Sequence, residues 1–131
     1  QGIPVYDIPA GQAELGVGIH GERGVDRRVF SQRHEVIEHC VDEVFSQLVP
    51  GSDPLIVLVN DLGQADPNDI ESALLGVNER AENLSMSIAR TKVGRFVTSA
   101  DMDGLSITLM RANPDILNLY DAPTLAPSWS E

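Results

Sequence analysis

Apolar residues between Gln32 and Val49 recur at steps of three and four: Val36, Ile37, Cys40, Val41, Val44, Phe45 and Leu48. That spacing places them on one face of a helix. Ser31 is positioned to cap its start, and Pro50-Gly51 to stop it. The run LIVLVN, Leu55 to Asn60, changes the pattern to an unbroken, β-branched stretch, which predicts a covered and central strand. After a loop holding Pro67 and Asn68, a second helical face collects Ile70, Ala73, Leu74, Val77, Ala81 and Leu84. Three extended segments follow, at 86–91, 95–98 and 105–110. The last alternates Leu-Ser-Ile-Thr-Leu, the period of two of a strand with unlike faces. ANPDILNLYDAP predicts a short helical turn before a Pro-rich tail ending at Trp129.

The N-terminal part is less regular. Pro4, Pro9, Gly2 and Gly11 make residues 1–13 an expected arm or linker, with the domain proper spanning 14–131. Glu14 to His20 reads as a short strand weakened by glycines, and Gly24 to Phe30 as a loop or a second short extended piece. Two amphipathic helices and about five extended segments predict an α/β fold: a two-layer sandwich with a mixed β-sheet and helices mainly on one face. Two helices are too few to cover both faces of a doubly wound sheet.

Composition narrows the function. The chain has 131 residues and 42% hydrophobic content, enough for one globular domain. A formal net charge of −11 repels phosphate backbones and anionic bilayers, so neither nucleic acid nor a membrane is an expected partner. The first residues lack the basic and apolar regions of a signal peptide. The single cysteine, Cys40, fits a reducing, cytoplasmic setting, and its place on the helix stripe predicts a buried small hydrophobe.

Gly16 to Gly21, GVGIHG, satisfies G-x-G-x-x-G letter by letter. The dinucleotide fingerprint also needs an apolar strand before it, a helix opening at its third glycine and an acid about 20 residues on, at the end of a strand. Pro9, Gly11 and Gln12 interrupt the approach, Glu22-Arg23-Gly24 is poor material for a helical turn, and Asp42 and Glu43 fall inside a helix. The fingerprint reading is rejected. There is no G-x-x-x-x-G-K-[ST] and no G-x-S-x-G. His34 and His39, five apart, diverge on a helix and are expected on its solvated face. Asp101 and Asp103 lack calcium-loop spacing, so SADMDG is expected as a turn with Gly104.

His20 is left. A lone histidine is commonly structural or solvated, but glycines on both sides let a ligand approach closely, and Glu22 or Asp26 is near enough in sequence to orient an imidazole. A neutral imidazole nitrogen can attack an electrophilic carbon.

Four segments then resemble one family in family order. ELGVGIHGERG with VDRR resembles the dihydroxyacetone kinase substrate-binding subunit, in its motif G-x-G-I-H-G-E-P-G. LIVLVNDLG is similar to that family's strand ending in V-N-x-L-G, KVGRFVTSADMDGLSITLM to its V-G-x-x-x-T-S-x-D-M-x-G-x-S-I-T-L segment, and LYDAPTLAPSW to its D-A-P-x-x-x-P-x-W ending. Arg23 replaces the usual proline, and ADPNDIES departs at the second helix start.

The resemblance implies the C-terminal domain of a larger subunit, with residues 1–13 leading from an N-terminal domain. It implies that His20 is the catalytic residue, holding the keto carbon of dihydroxyacetone as a hemiaminal, with Gly18 and Gly21 contributing to substrate binding. It assigns no metal and no bound cofactor to this domain. ATP or ADP with magnesium is expected on a separate kinase domain or subunit, recharged in some members by a phosphotransferase relay. A homodimer is also expected. Two other readings stay open: a non-catalytic ketose sensor acting through a protein partner, and a plain scaffold with an idle His20.

Overall fold

The computed structural model describes residues 8–18, 22–99 and 102–129. Its centre is β3 (Leu55–Asp61), the LIVLVN run extended by one residue. Leu55, Val57 and Val59 are at most 1% exposed, and each contributes about 1.5–3 kcal/mol by leaving water. They meet α1 (Arg33–Ser46) through Ile37, Val41 and Phe45, and α2 (Pro67–Asn83) through Ala73, Val77 and Ala81. Both helices therefore pack on one face of the sheet, and the fold is a two-layer α/β sandwich.

β4 (Ile88–Gly94) runs parallel to β3, and β5 (Leu105–Arg111) runs antiparallel on its other side, giving a mixed sheet in the order β4-β3-β5. Leu105, Ile107 and Leu109 complete the helix-side core. Two shorter strands, β1 (Gln12–Leu15) and β2 (Asp26–Val29), form a separate antiparallel pair. The final helix, α3 (Pro114–Asp121), is stapled at its start by Asn113, whose Oδ1 accepts from the Ile116 amide at 2.9 Å. At the start of α2, Asp66 accepts from the Asn68 amide at 2.9 Å, with Pro67 in the first turn.

Four local expectations change. The first strand ends at Leu15 instead of reaching His20, because Gly16 adopts φ +70° and turns the chain out of the ladder. Ser31 does not cap α1: Gln32 holds that position without a side-chain bond. Ser31 instead donates its hydroxyl to Glu35 at 2.7 Å and its amide at 3.1 Å. Segment 95–98 is not a strand, because the Asn60 side chain takes its backbone groups. His39 is half-buried, 6.3 Å from the Phe30 ring, whereas His34 is exposed. Cys40 is half-buried, and burial, then Glu43, raises its thiol pKa, consistent with a packing role.

Candidate functional site

The β4-β3-β5 order forces a crossing. β4 ends at Gly94 opposite Asn60, and β5 begins at Leu105 opposite Asp61, so the segment between them passes over the carboxyl end of β3. Asn60, 4% exposed, holds that segment. Its Nδ2 donates to the Val97 carbonyl at 2.8 Å, while Oδ1 accepts from the Phe96 and Val97 amides at 2.7 and 3.1 Å. Backbone groups that a strand would offer to a neighbour are taken by one side chain, which is why 95–98 forms no strand.

Asp61 organises the turn that follows. Its Oδ1 accepts from the Gly63 and Ala65 amides at 2.7 and 2.9 Å, and Oδ2 takes both Nε and an Nη of Arg95. Those two amides, then Arg95, draw its pKa down to about 2. The two loops are stitched by backbone bonds: Leu62 to Gly104 (3.0 Å), Gln64 to Met102 (3.0 Å) and Ser99 to Leu62 (2.7 Å). Arg33, at the start of α1, reaches Asp69 in the first turn of α2 and Asp103 in the crossing loop. Asp69, then Asp103, raises the pKa of Arg33. Asp103 thus pins a loop, beyond serving as a turn residue; Asp101 lies outside the described residues.

On the sheet face away from α1 and α2, two of the family-like segments converge. Lys92 Nζ stands 4.9 Å from the Trp129 ring centre and 5.8 Å from that of Phe96. Trp129 packs 5.2 Å from Phe96 and edge-on to Tyr120 at 6.0 Å. Arg90 on β4 pairs with Asp121 at the end of α3, at 2.9 and 2.6 Å.

The glycine loop is built between β1 and β2. The Val25 amide donates to the Leu15 carbonyl at 2.8 Å, and the Gly18 amide to the Glu22 carbonyl at 3.1 Å. The Glu22 side chain folds back over Gly18 into the space a Cβ would need, so Gly18 is required for that close approach. His20 and Gly21 lie outside the described residues, between these two anchors in sequence. Asp26, considered as a partner for the imidazole, is paired with Arg28. Glu14, which nothing in the linear pattern marks, sits beneath the loop. Its side chain is 7% exposed, its Oε1 accepts from the Gly24 amide at 3.1 Å, and its Oε2 pairs with Arg27. The Arg27 bond, then the Gly24 amide, lowers its pKa. Among the described residues no cluster of three or more His, Cys, Asp or Glu side chains could hold a metal ion. No described helix is long and apolar enough to cross a membrane.

Comparison with known proteins joins these segments into one lineage. A family profile described as the Dak1 domain matches residues 1–128. The dihydroxyacetone-binding subunit DhaK of the PEP-dependent dihydroxyacetone kinase of Escherichia coli (strain K12) is 32% identical over 156 residues, covering 97% of this chain and 43% of that protein. Human triokinase/FMN cyclase is 31% identical, covering 96% of this chain and 23% of its own length. The solved structure of the dihydroxyacetone kinase operon co-activator Dha-DhaQ superposes with a TM-score of 0.83 at 27% identity, over 95% of this chain and 40% of that one. The chain therefore spans less than half the length of these relatives, among which are a dihydroxyacetone kinase subunit and a triokinase. The chain belongs to the Dak1 domain family.

Proposed function

We propose that this chain is the ketose-holding C-terminal part of a dihydroxyacetone kinase-type subunit, and that His20 binds the substrate covalently. The observation that carries the reading is the match to the Dak1 domain across residues 1–128, which includes the histidine loop. The described flanks support it. A loop anchored by Gly18–Glu22 and Leu15–Val25 backbone bonds fixes both ends of the segment that holds the imidazole. In the proposed step the lone pair of one imidazole nitrogen forms a bond to the keto carbon. The carbonyl π pair moves to oxygen, and the proton from the other ring nitrogen balances the new hydroxyl. The adduct holds the ketose so that its terminal hydroxyl faces the phosphoryl donor. Glycerol, similar in size, has no carbonyl and is rejected by chemistry instead of by fit, a stronger discrimination than size alone provides.

The nucleotide, ATP or ADP with magnesium, belongs in this reading to a separate kinase domain or subunit, where bound ADP is recharged to ATP by a phosphotransferase relay in some members; the chain itself carries no G-x-x-x-x-G-K-[ST] motif. An N-terminal domain supplies the general base and the remaining substrate contacts, Gly21 lines the substrate alongside Gly18, and the assembly is a cytoplasmic homodimer. The chain alone has no kinase activity; turnover with ATP by the chain alone would overturn this division of labour. A second reading is favoured by the likeness to the co-activator DhaQ: the same adduct serves as a ketose signal read by a protein partner.

Carbon-13 NMR with dihydroxyacetone labelled at its keto carbon tests the shared step. A hemiaminal signal is expected from the wild-type chain and none from His20→Ala. No signal from the wild type even when the N-terminal domain is present removes the covalent reading. A co-purifying nucleotide-binding subunit then separates kinase from sensor.

A further inference from the structure

β5 lies at one edge of the β4-β3-β5 sheet. In an antiparallel pair, residues bonded to the facing strand alternate with residues whose N–H and C=O point away from it. The bonds that bracket β5, from the Ala112 amide to Pro54 and from the Leu62 amide to Gly104, fix that alternation. Ser106, Thr108 and Met110 bond to β3, and Leu105, Ile107, Leu109 and Arg111 direct their backbone groups outward. Among the described residues no backbone bond reaches those outward groups. Proteins blunt such an edge with charge, proline or a bulge. β4, the opposite edge, carries Arg90, Lys92 and Gly94, and its pairing shifts register near its start. β5 has no proline, glycine or register shift. Its one charge is Arg111, whose guanidinium donates to the Val49 and Asp53 carbonyls.

We infer that the free edge of β5 is the seam between two copies of this chain, pairing antiparallel with itself about a two-fold axis at Thr108. The inference rests on the homodimer of the proposed assembly and places it on a specific surface. The strand is self-complementary in that register. Leu105 meets Arg111 of the second copy and Ile107 meets Leu109, so every outward residue finds a partner. Moving the axis to Ile107 or Leu109 leaves Arg111 or Leu105 without one. On the face away from α1 and α2, Thr108 meets its own copy, and Met110 meets Ser106, a long apolar side chain over a small polar one. Met110 is 44% exposed and lines an open groove with Ile116 and Leu119, so the second copy also takes apolar surface out of water. No like charges stand opposite one another, the arrangement that would penalise a strand pair. A contact of this self-facing kind closes after two copies, and the two three-stranded sheets become one.

Sedimentation equilibrium of the full chain tests the seam, with two variants at the exposed Thr108. Thr108→Lys sets two ammonium groups against each other across the axis. It should weaken dimerisation about tenfold or more while the far-ultraviolet circular dichroism stays that of the wild type. Thr108→Cys gives a second readout that does not depend on the lysine variant folding. Facing Cα atoms in a non-hydrogen-bonded antiparallel pair lie about 4.5 Å apart, within reach of a disulfide. Mild oxidation should therefore join two chains through Thr108→Cys, and should not through Thr91→Cys on β4 or through Cys40 in the wild type. A dimer that Thr108→Lys leaves undiminished, or that Thr108→Cys fails to bridge, overturns the β5 seam while leaving a homodimer through another surface. A monomeric wild-type chain overturns the seam and removes this domain as the source of the homodimer.

Discussion

Asn60 and Val97 bond to each other in both directions, the Asn60 side-chain Nδ2 donating to the Val97 carbonyl at 2.8 Å and the Val97 backbone amide donating back to Oδ1 at 3.1 Å. One buried side chain thereby imitates a stretch of strand and holds the crossing loop where a fourth strand would otherwise begin. Asn60→Leu, similar in volume, leaves the Phe96 and Val97 amides and the Val97 carbonyl to find other partners. We expect a loss of about 2–4 kcal/mol, since each polar group stranded away from water costs about 1–3 kcal/mol. The thermal midpoint should fall by several degrees.

Asp61 predicts an acid-sensitive element. Its folded pKa, about 2, lies below the ordinary aspartate value of 3.8, so the ionised form is favoured by folding. Its contribution is complete above pH 4 and is lost as pH falls from about 4 to about 2. Asp61→Asn removes the Arg95 pair and should lower the urea midpoint at pH 7. Between pH 4 and 2 the difference from wild type should shrink towards zero. A difference that stays constant across that window would show that Asp61 is not the group responsible.

Gly63 adopts φ +147°, and a Cβ there would lie 2.9 Å from the Ser99 carbonyl oxygen. Both the backbone angle and the contact oppose any side chain. Gly63→Ala should cost about 1–3 kcal/mol and loosen the bond between the Ser99 amide and the Leu62 carbonyl, which hydrogen exchange at Ser99 would register as faster opening.

Val57→Ala and Leu119→Ala form a contrasting pair. Val57 is 1% exposed in the centre of β3, and its truncation should cost about 2–3 kcal/mol through lost burial and the cavity left behind. Leu119 is 76% exposed on α3, and its truncation should stay within about 0.5 kcal/mol. Chemical denaturation of both variants checks the placement of the core on the helix side of the sheet.

Local patterning carried much of this fold. The unbroken apolar run at 55–60 could be read as a central strand because burial on both sides leaves no alternation, and β3 is that strand. The helix faces of α1 and α2 were legible because core contact recurs at helical spacing. Residues 95–98 were misread because what denies them a strand is Asn60, more than thirty residues earlier, and no local pattern records that capture. Ser31 looks like a cap by type, yet Glu35 one turn on competes for its hydroxyl. The histidine loop was legible only as a family motif. Glu14 was hidden because its partners, Gly24 and Arg27, come together only when β1 pairs with β2.

Trp129 is the only tryptophan in the chain, and it rests beneath the Lys92 ammonium and against Phe96 and Tyr120. Its indole is therefore an intrinsic optical probe of whether the C-terminal tail is seated on β4. The emission of that single fluorophore distinguishes a docked tail from a detached one while the sheet and helices remain folded, so tail release can be followed apart from global unfolding.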